Sequence, residues 1–450
     1  MSPGSIQPDV IEEIYVSEPV PPVLSRWKRI KQYLGAVVVP LLTTRLMLVL
    51  IGIVTVFYIL PLISTHQPIY PNPLIKHFPD TLYFMWDHFD AGFYMGIARG
   101  GYWPASTLKG MSNWAFFPLY PLLIRIVALA VGTTHYNAYR ISGLFVSFVA
   151  TLIAGAYLYR LTKLECTEKV ARRAVWLLAV FPTSFYLTAI YPESLALALS
   201  IACLYYARKR AWGLAGIFGG LASLAHPQGV LLVVVVAYEL WQSLSEQVAP
   251  LAPVTRWQKR ISIWCYSRFV GVWAALRHWR TWAALVALCI IPLGIGLFCL
   301  YGYLKTGTFT PFTVTEHNGW GRQYINPVLL ISGMIEHPRP ASPYDWNFYG
   351  LNMGMFLFGF LMLIPIFRKL PFSYGLFTLL NVLLPITAGE TNSVARFTLG
   401  IFPIYIVLAL WSCRGSDAQQ EQRFGVLQVV SALLLALCMA MFTLGIYSMS

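Results

Sequence analysis

Asp87-His88-Phe89-Asp90 sets two carboxylates three residues apart, beside a crowd of aromatics, in a chain with only 18 acids among 450 residues. If the stretch is helical, Asp87 and Asp90 share a face. Near an apolar boundary such a pair repels and desolvation raises both pKa values. One carboxylate can then take a proton from a sugar or lipid hydroxyl as general base. The competing reading is an exposed loop pair that solvates a surface or caps a helix. The spacing alone does not choose, and it is not the D-x-D spacing of a metal-held nucleotide sugar.

Four further stretches carry chemistry-bearing residues. "AFFPLYP", 115–121, has the aromatic and proline content of a bent platform at a membrane interface. In "AIYPESLALALS", 189–200, Pro192 and Glu193 fall at a helix start, where the positive end of the helix favours a carboxylate. An acid at the membrane boundary is either a site or a cap. In "ASLAHPQG", 222–229, His226 can contact a phosphate or hydroxyl, or be an ordinary loop histidine. In "ETNSVARFTLGIFPIYIVLALW", 390–411, Arg396 opens an apolar run. Its guanidinium matches phosphate geometry, although snorkelling to lipid headgroups places arginine there too. Taken together, a base at Asp90 and a cation at Arg396 on one interface suit a sugar donor carried on a lipid phosphate. The base deprotonates an acceptor hydroxyl, and the cation stabilises charge growing on the leaving phosphate.

Long apolar elements must position these groups. The chain is 57% apolar and 11% charged, with a mean hydropathy of +0.62. Soluble domains carry about 25% charged residues. Runs reach the ~20 residues that cross a bilayer, which predicts an all-α polytopic membrane protein rather than a β-barrel. Spans are expected near 34–63, 138–160, 172–190, 193–208, 211–225, 228–242, 281–303, 351–367, 370–388, 395–412 and 424–447. With 113–132 they give a bundle of about 11–13 transmembrane helices.

The net charge of +14 is concentrated in short loops, at 160–173, 208–210, 256–280 and 368–369. That is a topology signal, so nucleic acid is not an expected partner. It puts residues 1–25, a proline-rich acidic tail expected to be disordered, and the basic loop 243–280 in the cytoplasm. It puts 64–113 (the first outer loop, carrying short interface helices), 304–350, Glu193, His226 and Arg396 outside. Residues 26–450 then form one membrane domain. A basic loop at 160–173 conflicts with two full crossings between 113 and 160. Pro118 and Pro121 favour a re-entrant or interface-lying segment at 113–132; the alternative is that 83–98 dips into the membrane. The seven cysteines form no C-x-x-C pair, so no zinc site or disulfide framework is expected. No phosphate-binding glycine loop of an ATP-driven pump is present. Residue types alone leave open a secondary transporter or lipid flippase, and a non-catalytic scaffold.

"FDAGFYMGIARGGYW", "AFFPLYPLLIRIVA", "YPESLALALSIACLYYARKRAWGLAGIFGGLASLAHPQG" and "SVARFTLGIFPIYIVLA", in this order, resemble the PIG-V-type mannosyltransferases. The resemblance covers about 84–242 and resumes at 390–411. It implies a GT-C-like bundle whose first outer loop bears the catalytic aspartate. It also implies inverting, metal-independent transfer from a polyprenyl-phosphate sugar to a glycolipid or glycan acceptor, with no cofactor. The implied membrane is the cell membrane of a prokaryote or the endoplasmic reticulum of a eukaryote, with the site on the non-cytoplasmic side. The family aspartate is followed by a small residue, aromatics and a Gly-Tyr pair, here Ala91, Phe93, Tyr94 and Gly101-Tyr102. That makes Asp90 the implied base over Asp87, with Asp87, Tyr94, Glu193, His226 and Arg396 as substrate-binding residues. His88-Phe89 stands where relatives carry an Arg-Trp-like pair, and His226 where they often carry arginine.

Overall fold

The computed structural model describes residues 31–63, 78–132, 135–245, 279–322, 326, 332, 343–387 and 393–445. The acidic tail, most of the loop 243–280, much of 323–342 and Glu390–Asn392 of the "ETNSVARF" stretch lie outside the described residues. Every regular element described is helical.

The first helix, α1, is Lys31–Leu62, long and apolar enough to cross a membrane. Two short helices follow, α2 (Phe78–Phe84) and α3 (Ala91–Gly100). The Asp87–Asp90 stretch lies between them as a turn, not on a helix face. Phe89 turns it at φ 52, a left-handed conformation that costs a bulky residue about 1–2 kcal/mol. The reversal sends the two carboxylates to different partners.

Helix α4, Leu119–Ala130, starts where Pro118 caps it. At 1.5 Å per residue its 12 residues rise about 18 Å, short of the roughly 30 Å hydrocarbon core. It leans on α5, Tyr136–Glu165, where the Tyr120 hydroxyl meets the Gly143 carbonyl at 3.1 Å and Ser147 Oγ at 2.7 Å. Helix α6, Glu168–Val180, is shorter than the span expected at 172–190. Pro182 and Pro192 bracket an irregular run from 181 to 192, almost all of it buried. Irregular backbone persists at such depth only where protein satisfies it. Here Thr151 Oγ1 donates to the Leu187 carbonyl at 2.6 Å, Ser147 Oγ to that of Ala189 at 2.9 Å, and Arg45 Nη1 to that of Ser184 at 2.9 Å. Helix α7, Glu193–Arg208, restarts directly after this run.

Helices α8 (Trp212–Ala225), α9 (Leu232–Ser245) and α10 (Trp279–Thr306) continue the bundle. Helices α8 and α10 touch backbone to backbone: a Cβ at Gly216 would sit 2.2 Å from the Ala287 oxygen. Small residues at crossings are how membrane helices gain contact without a hydrophobic drive. The short helix α11, Pro311–Trp320, follows, with Pro311 in its first turn and Gly321 left-handed at its end. Then come α12 (Pro343–Lys369), α13 (Phe372–Thr387), α14 (Val394–Leu399), α15 (Pro403–Ser412) and α16 (Asp417–Thr443). The span expected at 395–412 is thus broken at Gly400–Phe402, ahead of Pro403. Ser416 and Gln419 form a capping box that starts α16.

Among the described residues six helices are long and apolar enough to span a bilayer, and four shorter apolar helices accompany them. The polytopic all-α architecture read from composition is the architecture found. Helix α5 carries Arg140 near one end and Glu165 at the other, roughly 37 Å away by helical rise. Glu165 belongs to the end where Arg208 bridges it at 2.8 Å and Glu239 at 3.1 Å. Arg173 there ties α6 to the Ser412 carbonyl at 2.8 Å.

Candidate active site

Asp90 caps α3 by its backbone but makes no side-chain capping bond. Its carboxylate is therefore available to α14, where Arg396 donates from Nη1 to Asp90 Oδ2 at 2.6 Å. On the other side Arg396 Nε lies 3.1 Å from Glu193 Oε1, at the first residue of α7. Three distant segments thus meet in one carboxyl–guanidinium–carboxyl chain. Its side chains are 20% exposed at Asp90, 9% at Arg396 and 7% at Glu193. Tyr191, at the end of the irregular run, fixes the turn: its hydroxyl accepts from the Asp90 N–H at 3.2 Å and donates to the His88 carbonyl at 3.0 Å. The Arg396 guanidinium also lies 5.4 Å from the centre of the Tyr191 ring.

Asp90 and Arg396 open onto a cavity of about 260 Å³. Phe93 and Tyr94 of α3 line one side, and Phe116 and Phe117 another. His226 and Pro227 close it between α8 and α9, while Glu316, Trp320 and Arg322 reach it from α11 and its end. An apolar, aromatic hollow with a few converging polar groups is the usual form of a small-molecule site. Among the described residues no three acid, histidine or cysteine side chains gather as a metal cluster would.

His226 is wholly buried beside Arg396. Burial first, then the neighbouring guanidinium, push its pKa down to about 3. It is therefore neutral, and its Nδ1 accepts from the Gln228 N–H at 3.4 Å. The proton then sits on Nε2, which makes His226 a donor rather than a cation. Tyr94 lies edge-on to Phe116 at 5.0 Å and to Tyr120 at 5.5 Å, where it shapes the floor of the cavity.

The fold brings Asp90, Tyr94, Glu193, His226 and Arg396 together, from four separated stretches. Asp87 goes elsewhere. Its Oδ2 accepts from Arg140 Nε at 2.8 Å and Nη2 at 2.6 Å, and it does not line the cavity. Burial raises its carboxyl above the usual range, against the opposing pull of Arg140. Arg140 escaped the sequence reading. Its signal was an arginine at the end of α5 away from the basic loops, where a positive-inside chain has little reason to place one. Glu316, Trp320 and Arg322 were hidden in the 304–350 loop, whose residues have no helical period to single them out.

A family model described as Mannosyltransferase (PIG-V) matches residues 31–291. No curated protein matches the chain. Among solved structures, the chain is similar to the Archaeoglobus fulgidus oligosaccharyltransferase AglB in complex with an inhibitory peptide and a dolichol-phosphate. That likeness is 13% identical, covers 94% of this chain and 56% of the other, and has a TM-score of 0.40. The apo form of the Archaeoglobus fulgidus oligosaccharyltransferase is 12% identical over 90% of this chain and 56% of the other, with a TM-score of 0.42. The chain spans just over half the length of these structures.

Proposed function

The chain belongs to the PIG-V mannosyltransferase family, and from that premise we propose that it moves a mannosyl unit from a polyprenyl-phosphate donor to a lipid or glycan hydroxyl, on the non-cytoplasmic face. Family membership favours an enzyme over the transporter or scaffold that residue types left open. The observation that carries the reading is the Asp90–Arg396 pair, 2.6 Å apart and opening onto one cavity.

The acceptor O–H gives its proton to Asp90 as its oxygen attacks the anomeric carbon. The bond from that carbon to the phosphate oxygen breaks, and the electron pair leaves on the phosphate. One displacement inverts the configuration. Arg396 holds the base through Nη1, and its remaining N–H donors meet the charge that grows on the phosphate. Glu193 keeps the guanidinium in place from behind. His226, neutral, donates from Nε2 to a phosphate or sugar oxygen. The basic end of the bundle, at Arg160, Lys163, Arg172 and Arg208, lies at the far end of α5 from Asp90. That separation supports an outer site.

Purified protein given polyprenyl-phosphate-mannose and a membrane lipid extract should yield a mannosylated product by mass spectrometry, with the anomeric configuration of the donor reversed. Failure of wild type to consume the donor, or equal product from the Asp90→Asn variant, would overturn the reading.

A further inference from the structure

Helix α11 is bolted onto the first loop rather than left over the cavity as a free segment. Thr315 Oγ1 donates to the Gly110 carbonyl at 3.0 Å, and Asn318 Nδ2 to that of Leu108 at 2.8 Å. At Gly319 the two backbones touch. A Cβ there would lie 2.7 Å from Met111 N and Cα, so only glycine lets α11 sit this close. The result is a fixed aromatic wall. Trp320 stands edge-on to Phe93 and Phe116, each at 5.9 Å, and Phe93 stacks on Phe116 at 4.6 Å. Beside Trp320, Arg322 Nη1 holds Glu316 Oε2 at 2.8 Å, and both side chains line the same cavity at 23% and 27% exposure.

Phe93 is three residues after Asp90 on α3, one turn from the proposed base. A group resting on the Phe93–Phe116–Trp320 wall therefore lies next to that carboxylate. A pyranose ring suits the wall. Its C–H face packs on aromatic rings, while its rim of hydroxyls can donate to a carboxylate and accept from a guanidinium. A bare lipid alcohol would leave Glu316 and Arg322 facing apolar chain at a desolvation cost. We infer that Trp320, Glu316 and Arg322 form the subsite for the acceptor's sugar ring, and that they set acceptor specificity while the donor occupies the Arg396–His226 side. This assignment rests on the proposed glycosyl transfer.

The test compares wild type with Trp320→Ala, Trp320→Phe and Glu316→Gln in detergent. Acceptor and donor KM are measured separately, and saturation-transfer NMR is run with methyl α-mannopyranoside and methyl α-glucopyranoside as probes. Trp320→Ala should raise acceptor KM at least tenfold and leave donor KM within twofold. Trp320→Phe should recover most of the loss, and Glu316→Gln should raise acceptor KM several-fold. A rise in donor KM alone, an equal loss in Trp320→Phe and Trp320→Ala, or no change would overturn the subsite. If wild type transfers no sugar from any polyprenyl-phosphate donor, the transfer reading fails, and the glycoside signal still decides the subsite. Saturation transfer that disappears in Trp320→Ala supports it, and saturation transfer indifferent to Trp320 overturns it.

Discussion

Arg396 reaches Asp90 at 2.6 Å across 306 residues of sequence. The same guanidinium lies 3.1 Å from Glu193, so the proposed base is oriented by a cation that is itself held from behind. One carboxylate oxygen, Oδ2, is committed to this bond. An acceptor hydroxyl in the cavity would be met by Oδ1. On the proposed chemistry, base and developing charge are brought together by the fold before substrate arrives, which is how enzymes avoid the cost of reorganisation.

Replacement of Asp90 by asparagine keeps an acceptor for Arg396 but removes the proton acceptor. Transfer should fall by about 10²–10⁴, the usual worth of a general base, while the melting temperature stays close to that of wild type. Single-turnover rates with polyprenyl-phosphate-mannose check this. A variant within tenfold of wild type would remove Asp90 from the chemistry.

Arg396 distinguishes geometry from charge. A lysine keeps the charge but has a compact ammonium that cannot span two carboxylates as a guanidinium does. Arg396→Lys should fold and lose about 10–100-fold in kcat/KM, chiefly through donor KM. Arg396→Ala leaves Glu193, 8% exposed, without its cation. Loss of one partner from a buried pair costs about 3–5 kcal/mol, so the alanine variant should melt well below the lysine variant. Equal melting temperatures would contradict a bridging role.

His226 and His88 carry the acid-sensitive part of the stability. Burial holds His226 down at about 3 and His88 at about 4. The unfolded chain therefore takes up these protons first, near the ordinary value of about 6.5. The stability each contributes is whole above pH 6.5 and is lost as pH falls toward the folded values. From pH 6.5 to 5 each histidine costs about 2 kcal/mol. Burial pushes Glu193 up to about 7, which shifts stability the opposite way over this interval, so the test is the difference: His226→Gln should lose less melting temperature between pH 7 and pH 5 than wild type does. The same variant should leave the acid limb of activity where it was, because the ring does not titrate in the folded protein there. A shifted limb would make His226 an acid–base group instead.

Composition and charge distribution were enough to read a helical membrane bundle, because ~20-residue apolar runs and basic loops are direct consequences of bilayer thickness and potential. The residues of the candidate site stood out one by one, as polar exceptions in apolar surroundings. Their pairing was not. Nothing local to "VARF" says that its arginine faces Asp90 rather than lipid headgroups. The stretch 181–190 reads as the end of a span because it is largely apolar. The helix stops ahead of Pro182, and Thr151, Ser147 and Arg45, from other helices, satisfy the carbonyls this frees; such long-range hydrogen bonds leave no periodic trace. The Asp87–Asp90 spacing misled for a related reason. A shared helical face needs αR at Phe89, whereas Phe89 is left-handed and the two carboxylates pair with Arg140 and Arg396 in different directions.

Asp87 and Arg140 should act as a staple, separable from catalysis. The pair is 11% and 1% exposed, and the guanidinium also lies 4.1 Å from the Phe84 ring and 5.1 Å from that of Tyr136. Asp87→Asn strands a buried positive charge among aromatics, at an expected cost of about 3–5 kcal/mol. It also frees the turn that carries Asp90, so activity and melting temperature should fall together. Buried pairs replaced whole by apolar side chains are often neutral. Asp87→Leu combined with Arg140→Met should therefore recover most of the lost stability, and with it the transfer rate, since neither residue lines the cavity. If the double variant regains its melting temperature but transfers nothing, Asp87 contacts substrate and the staple is only part of its role. If Asp87→Asn alone melts within a degree or two of wild type, the ion pair does not hold the turn at all.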